Sequence, residues 1–243
     1  MASAPKVLLI VPAYNEEKSI LSTCKVISDA KTSFDYIVIN DGSSDRTEEI
    51  LEDSSIPHIK LIQNLGIGGA VQTGYKYAEM NGYDIAVQFD GDGQHDISSV
   101  DNLLVPIIDG TANMVIGSRF INNSMSGFRS SALRRVGIRT ISNFIKFKTH
   151  RRIYDTTSGF RAVDKSLIRF FSEHYSSEYP EPISIVSALL NKYKITEVPA
   201  KMNQRLNGKS SISKLKSVYY MINVILQILT LRRESWAVAF QLF

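Results

Sequence analysis

The chain of 243 residues is 44% hydrophobic and 21% charged, which allows one large globular domain, or a domain with an appendage, at roughly 150 residues per domain. That composition excludes disordered, collagen-like and coiled-coil classes, and the single cysteine, Cys24, excludes both a disulfide scaffold and a Cys-based zinc site and suits a reducing, cytoplasmic setting. The net charge of +4 hides an asymmetry: residues 1–120 hold 8 Lys and Arg against 17 Asp and Glu, net −9, and residues 121–243 hold 20 against 7, net +13. An acidic half suits a bound cation, and a basic half suits phosphates, nucleic acid or an anionic membrane surface.

In chain order, the first apolar run ends at Pro12, too short for the core of a signal peptide plus its cleavage site, so no export is expected. Short runs rich in Val and Ile then alternate with segments of helical period, which predicts an α/β fold with a mostly parallel sheet. Strands are expected at Val7–Ala13, Tyr36–Asn40, Ile59–Gln63, Ile85–Phe89 and Met114–Gly117, and helices near Lys18–Lys31, Asp45–Asp53, Gly69–Met80 and Ile97–Asp109. Three strands run into polar or glycine-containing turns, Tyr14-Asn15-Glu16, Asp41-Gly42-Ser43 and Asp90-Gly91-Asp92. Ligands of open α/β sheets bind beyond the carboxyl ends of the strands, so these turns should converge on one crevice.

Two later segments depart from this pattern. From Phe128 to Arg152 there are eight basic residues and no acid. On a helical wheel Leu133, Val136, Ile138, Ile141, Phe144, Ile145 and Phe147 fall within about 200°, opposite Arg135, Arg139, Ser142 and Lys146. This basic amphipathic helix, about residues 130–148, is read either as a surface helix packed on the core or, favoured by its acid-free polar face, as one lying on an anionic membrane. The second segment, Val218–Leu231, is apolar except for a stripe of Asn223, Gln227 and Thr230. It is too short to span a bilayer, which needs about 20 residues, and with Trp236–Phe243 it reads as an in-plane helix or one that packs on a small membrane protein or a second copy. Residues 1–215 are therefore expected as the catalytic domain and 216–243 as a C-terminal apolar helical segment.

Asp90-Gly91-Asp92 follows the strand run ending at Phe89. In extended backbone residues i and i+2 point the same way, and the glycine between leaves room for a ligand. Two carboxylates with diphosphate oxygens and water would complete an octahedral Mg²⁺ or Mn²⁺ shell; a solvated turn is the alternative. A calcium loop does not fit, because His95 stands where it needs glycine. Gly66-Ile67-Gly68-Gly69-Ala70-Val71 misses the dinucleotide fingerprint, since Val71 replaces its third small residue and the motif follows the third strand; it reads as the start of a helix with a possible nucleotide contact at Gly69. His95 sits by the acidic motif without zinc-site spacing, and His58, His150 and His174 read as surface residues.

The ordered motifs Val11-Pro12-Ala13-Tyr14-Asn15-Glu16-Glu17, Ile39-Asn40-Asp41-Gly42-Ser43-Ser44-Asp45, Asn64 to Ala70, Asp90-Gly91-Asp92-Gly93-Gln94-His95, Gly117-Ser118-Arg119 and Ser158-Gly159-Phe160-Arg161 resemble the family 2 inverting glycosyltransferases of GT-A fold. The nearest likeness is to the dolichyl-phosphate mannose synthase and polyprenyl-phosphate glycosyltransferase branch, over about residues 6–215. The resemblance implies nucleotide-sugar binding by Pro12, Ala13, Tyr14, Glu16, Asp41, Gly69, Asp90 and Gly91, and a divalent cation, Mg²⁺ or Mn²⁺, on Asp90 and Asp92 with Gln94 as a further contact. Asp41, Ser43 and Asp45 can cap turns and helices at the same time. Arg119, Arg161 and Arg205 are implied contacts to sugar-diphosphate or acceptor phosphate, Arg161 with a surface ion pair as its alternative. Arg134, Arg135, Arg139 and Lys146 are candidates for the membrane and the acceptor.

Relatives acting on hydroxyls place a base in an acidic pair before a helix. Here Tyr179-Pro180-Glu181-Pro182 precedes the helical run Ile183–Lys192, with Pro182 suited to its first turn. Glu181 is the candidate base, or a carboxylate favoured by the helix N-terminus. The resemblance therefore implies transfer of a hexose from a nucleoside diphosphate sugar, with UDP the favoured nucleotide, to a membrane polyprenyl phosphate for cell-surface polysaccharide assembly. A hydroxyl of a lipid-linked glycan is the second acceptor, and a peripheral place on the cytoplasmic face of the membrane follows. A nucleotidylyltransferase lacks support, since the first loop is not Gly-rich and basic. A non-catalytic membrane-binding module leaves Asp90 and Asp92 unexplained, and nucleic-acid binding lacks a stacking-aromatic motif.

Overall fold

The structure, a computed structural model, describes residues 4–30, 34–91, 93, 95–121, 132–200 and 214–233; the side chains of 132–134 and 214–218 fall outside that description. The strands are β1 (Val7–Ala13), β2 (Asp35–Asn40), β3 (His58–Lys60), β4 (Ile85–Gln88), β5 (Met114–Ser118), β6 (Arg161–Asp164) and β7 (Ile195–Pro199). The helices are α1 (Ile20–Asp29), α2 (Thr47–Asp53), α3 (Gly66–Met80), α4 (Val100–Ile108), α5 (Ala132–Thr149), α6 (Lys165–Glu173), α7 (Pro180–Leu190) and α8 (Lys214–Thr230).

The strands form one sheet in the order β3-β2-β1-β4-β6-β5-β7. Every pair is parallel except those of β6, which runs antiparallel to both β4 and β5. All seven residues of β1 are buried, because helices cover both faces of the sheet. Strand alternation then sorts the side chains. Leu8, Ile10 and Ile39 pack with Val71 and Tyr75 of α3 and Phe171 of α6, whereas Val7, Leu9 and Val11 pack with Ile20 and Cys24 of α1 and Leu103 of α4. The antiparallel β6 has a functional consequence: its register sets Arg161 opposite Gln88, so the residues just before it lie at the carboxyl edge of β4.

The first half follows its hydrophobic pattern, with differences at the ends. β3 stops at Lys60, and Ile62, expected within the strand, is fully exposed. The expected helix at 97–109 opens as a 3₁₀ turn at Ile97–Ser99, with the Asp96 carboxylate accepting from the Ser98 N–H, before α4 begins. β6, β7 and α6 have no counterpart in the sequence reading. Four residues containing an arginine carry too short an alternation, and β6 is a strand only because β4 and β5 flank it.

The basic amphipathic helix exists as α5, but its apolar face is spent on the protein. Ile138, Ile141 and Ile145 are buried, the last two in the same core cluster as Ile183 of α7 and Val224 and Ile228 of α8. Of the two readings, packing on the core accounts for most of the apolar arc; of that arc Val136 and Phe147 remain outside, 57% and 73% exposed, beside exposed Arg135, Arg139 and Lys146. α8 lies against it, so close at Gly137 that an added Cβ would come within 2.9 Å of the Met221 sulfur. The α8 stripe is turned inward at Asn223, which donates to the Tyr179 hydroxyl at 3.3 Å, and Tyr219, Ile222, Leu226 and Leu229 face outward. No described helix is long and apolar enough to cross a membrane. Trp236–Phe243 lies outside the described residues.

Candidate active site at the carboxyl edge of the sheet

The expected convergence is present for the described parts of the three turns. After β1, Asn15 adopts a left-handed conformation, φ 56°, and its side chain accepts from the Ser44 N–H at 2.8 Å while its own N–H donates to Ser43 Oγ at 2.9 Å. The Glu16 N–H donates to Thr47 Oγ1 and the Glu17 N–H to Asp45. The first turn is thereby tied to the second, leaving Tyr14 half exposed at the rim beside Pro12 and Ala13. Asp41 is buried, and its Oδ1 accepts from the Leu65 N–H at 2.7 Å. Burial raises its carboxyl, against the pull of the Leu65 and Gly66 N–H groups. Capping by Asp41 and Asp45 is thus realised, the latter accepting from the Thr47 N–H. The glycines after β3 have separate tasks: α3 starts at Gly66, and a Cβ on Gly68 would lie 2.2 Å from the Ser176 carbonyl oxygen. This supports the helix-start reading.

At the end of β4 the Asp90 carboxylate is one-third exposed. Gln88 Nε2 donates to its Oδ1 at 3.3 Å, and the Asp90 N–H donates to His95 Nδ1 at 3.0 Å. Gly91 lies against β1, where a Cβ would be 3.1 Å from the Pro12 carbonyl oxygen, and its own carbonyl accepts from Thr23 Oγ1. Gly159, delivered by the antiparallel β6, completes the cradle: a Cβ there would meet Asp90 Oδ2 at 3.0 Å and Gln88 Nε2 at 2.8 Å. A carboxylate offered to solvent in a recess lined by two glycines supplies one oxygen ligand of the kind a hard divalent cation takes, with room beside it. Asp92, Gln94 and Arg205 lie outside the described residues, as does the Arg134 side chain.

Arg161 differs from both expectations. It is fully buried, and its guanidinium donates to the Ser158 carbonyl at 3.2 and 2.5 Å, to Ser184 Oγ at 2.7 Å and to the Glu181 carbonyl at 3.3 Å. It is neither a surface ion pair nor exposed to a phosphate; it pins the loop before β6 to the first turn of α7. Pro180 opens that helix and Pro182 lies in its first turn. Burial raises the Glu181 carboxyl, Arg161 pulls it down, and the charge of Asp90 pushes it up. Glu181 therefore shares an electrostatic environment with the acidic motif.

Arg119, expected at a phosphate, is held bidentately by Asp155, Nε to Oδ2 at 2.7 Å and the terminal nitrogen to Oδ1 at 2.6 Å, and also donates to Thr157. Glu197 of β7 accepts the Tyr154 and Asp155 N–H groups at 2.8 Å each. Sequence reasoning missed Gln88, Asp155 and Glu197, and placed His95 beside the acidic motif without giving it a role. His95 carried the one local signal, five residues after Asp90; Asp155 is 36 residues from Arg119 and carries none.

Two other features lie apart. Glu48, Glu52 and His58 could bring three ligand atoms within 4.8 Å, but Lys60 at 3.2 Å and Asn40 at 2.5 Å already engage Glu48. His58, expected at the surface, is half-buried there. A groove of about 520 Å³ lined by Glu79, Tyr83, Lys165 and Tyr193 opens at the opposite edge of the sheet, away from the carboxyl ends of the parallel strands.

Residues 8–174 match the model of glycosyl transferase family 2. The chain is 33% identical over 214 residues to the UDP-N-acetylglucosamine–dolichyl-phosphate N-acetylglucosaminyltransferase of Methanococcus voltae, covering 80% of this chain and 84% of that one. It is 29% identical to the undecaprenyl-phosphate mannosyltransferase of Micrococcus luteus, covering 86% and 88%. Among solved structures, glucosyl-3-phosphoglycerate synthase from Mycobacterium tuberculosis in complex with Mg²⁺ and uridine diphosphate superposes with a TM-score of 0.72 at 20% identity, covering 93% of this chain and 78% of that one, which establishes the GT-A fold. With the family match, the relatives and the sheet-edge acidic site together, the chain belongs to glycosyl transferase family 2 and is a glycosyltransferase.

Proposed function

We propose that this chain is a metal-dependent inverting hexosyltransferase that uses a nucleoside diphosphate sugar, UDP the favoured nucleotide, and a polyprenyl phosphate at a membrane surface. The observation that carries the reading is the Asp90 carboxylate, offered at the end of β4 in a recess that a Cβ at Gly159 would crowd. Relatives whose names specify dolichyl and undecaprenyl phosphate acceptors support the lipid phosphate, and the structural relative that holds UDP and Mg²⁺ supports the donor and cation.

Asp90 and Asp92 would hold Mg²⁺ or Mn²⁺, with Gln94 beside them. When bound, the cation neutralises charge developing on the departing diphosphate. Tyr14, with Pro12, Ala13 and Glu16, forms the rim for the nucleotide, and Asp41 fixes the floor by holding the start of α3. The acceptor oxygen attacks the anomeric carbon as the bond to the diphosphate oxygen breaks, and the electron pair leaves with the nucleoside diphosphate. A phosphate monoester has its second pKa at about 6 and is largely dianionic near neutrality, so no base is required. Arg161 keeps Glu181 and the loop before β6 in register, and Arg205, with Arg134, Arg135 and Arg139 of α5, is a candidate for a direct phosphate contact.

The raised carboxyl of Glu181 favours a second reading, in which Glu181 deprotonates a sugar hydroxyl of a lipid-linked glycan. Exposed Arg135, Arg139 and Lys146 on α5, alongside the outward apolar stripe of α8, support peripheral attachment to an anionic leaflet, for which the cytoplasmic face is proposed. The test is a panel of UDP-, GDP- and dTDP-sugars assayed with synthetic polyprenyl phosphate and with extracted lipid, with and without chelator. Asp90→Asn should abolish transfer with the melting temperature retained. Near wild-type turnover by Asp90→Asn, or turnover unaffected by chelator, would overturn the reading.

A further inference from the structure

We infer that His95 is a positioning residue that fixes the backbone and the carboxylate of Asp90 together in the orientation required for the cation. The inference rests on the metal-binding reading of Asp90 proposed above. His95 is buried, 4% exposed, with its ring against Phe160 at 4.7 Å and edge-on to Phe89 at 5.4 Å. Those two aromatics leave the imidazole little freedom to rotate. In that fixed plane Nδ1 accepts the Asp90 N–H at 3.0 Å. A nitrogen that accepts carries no proton, so in the neutral ring the proton sits on Nε2, and Nε2 lies 3.5 Å from Asp90 Oδ2.

One ring thus holds the Asp90 main chain by a hydrogen bond and sets its second nitrogen beside the carboxylate as a longer electrostatic contact. The other carboxylate oxygen is steadied by Gln88 Nε2. Gln88 is buried, and among the described residues its own Oε1 has no hydrogen-bond partner, while its Nε2 is turned to Asp90. Such outer contacts orient the ligands of a metal, and their removal typically costs about 10- to 100-fold in metal affinity. The arrangement leaves part of the Asp90 carboxylate in solvent while removing its rotational freedom, as a preorganised ligand requires.

The experiment titrates Mn²⁺ into the full chain, with and without UDP, and follows free Mn²⁺ by its electron paramagnetic resonance signal. His95→Phe keeps an aromatic ring between Phe89 and Phe160 and deletes both nitrogens; it should bind Mn²⁺ about 10- to 100-fold more weakly. His95→Asn keeps an acceptor near the position of Nδ1 and loses Nε2; its affinity should fall between His95→Phe and wild type, an ordering that packing alone would not produce. If His95→Phe does not fold, His95→Asn alone decides by an affinity below wild type. A folded His95 variant with wild-type Mn²⁺ affinity overturns the inference. Asp90→Asn in the same titration separates the two claims: if it loses Mn²⁺ while the His95 variants do not, only the role of His95 fails, and if it too binds normally, the metal reading fails.

Discussion

The buried pair of Arg119 and Asp155 offers a direct test of whether Arg119 is reserved for a ligand or fastens the sheet edge. The Asp155 side chain is fully buried and that of Arg119 is 8% exposed. The carboxylate accepts from the Arg119 main-chain N–H at 3.0 Å as well as from its guanidinium. Asp155→Asn preserves size and removes the negative charge that faces the guanidinium in this low-dielectric setting. Breaking one side of such a pair costs about 3–5 kcal/mol, and because asparagine retains one acceptor oxygen the lower value applies. For a chain of this size 1 kcal/mol corresponds to about 2–4 °C, so the melting temperature should fall by about 6–12 °C. Calorimetry of wild type, Asp155→Asn, Arg119→Met and the double variant should show the double losing clearly less than the sum of the singles, since it removes both charges. A fall of less than about 2 °C in Asp155→Asn, with additive single variants, would refute the fastening role and return Arg119 to the list of ligand contacts.

Four further outcomes are expected. Glu181→Gln should change turnover little if the acceptor is a lipid phosphate, and a loss of about 10²–10⁴-fold with donor binding intact in a calorimetric titration would identify a hydroxyl acceptor instead. Gly159→Ala should leave the fold in place, because the atoms its Cβ would crowd are the ends of the Gln88 and Asp90 side chains, yet weaken Mn²⁺ binding by displacing the carboxylate; unchanged Mn²⁺ affinity would contradict the cradle. Burial pushes the Cys24 thiol up to about 12, so a thiolate-directed reagent at pH 8 should label it at the rate of unfolding, and rapid labelling of the native protein would show that the α1 side of the core opens. Each basic residue near an anionic surface contributes about 1 kcal/mol, so Arg135→Glu, Arg139→Glu and Lys146→Glu together should release the protein from vesicles containing phosphatidylserine; retention at wild-type levels would place the contact elsewhere.

Local pattern determined much of this protein. The continuous apolar run of β1, the polar turns closing β1, β2 and β4, and the glycines that start α3 are each set by a few neighbouring residues, and the ordered motifs that carry the family likeness lie in those same turns. Tertiary contact decided what no local window contains. β6 is a strand because β4 and β5 pair with it, and its antiparallel course is what brings Gly159 to Asp90 and buries Arg161 beneath Glu181. The apolar arc of α5 is indistinguishable in sequence from a lipid-facing one, and only the packing of Ile141 and Ile145 against α7 and α8 assigns it to the core. Arg119 reads as a phosphate contact until the fold supplies Asp155 from 36 residues away. Hydrophobic period and turn chemistry act over a few residues and so are legible in the chain, whereas the partner of a buried charge is chosen by which distant segments the sheet order makes neighbours.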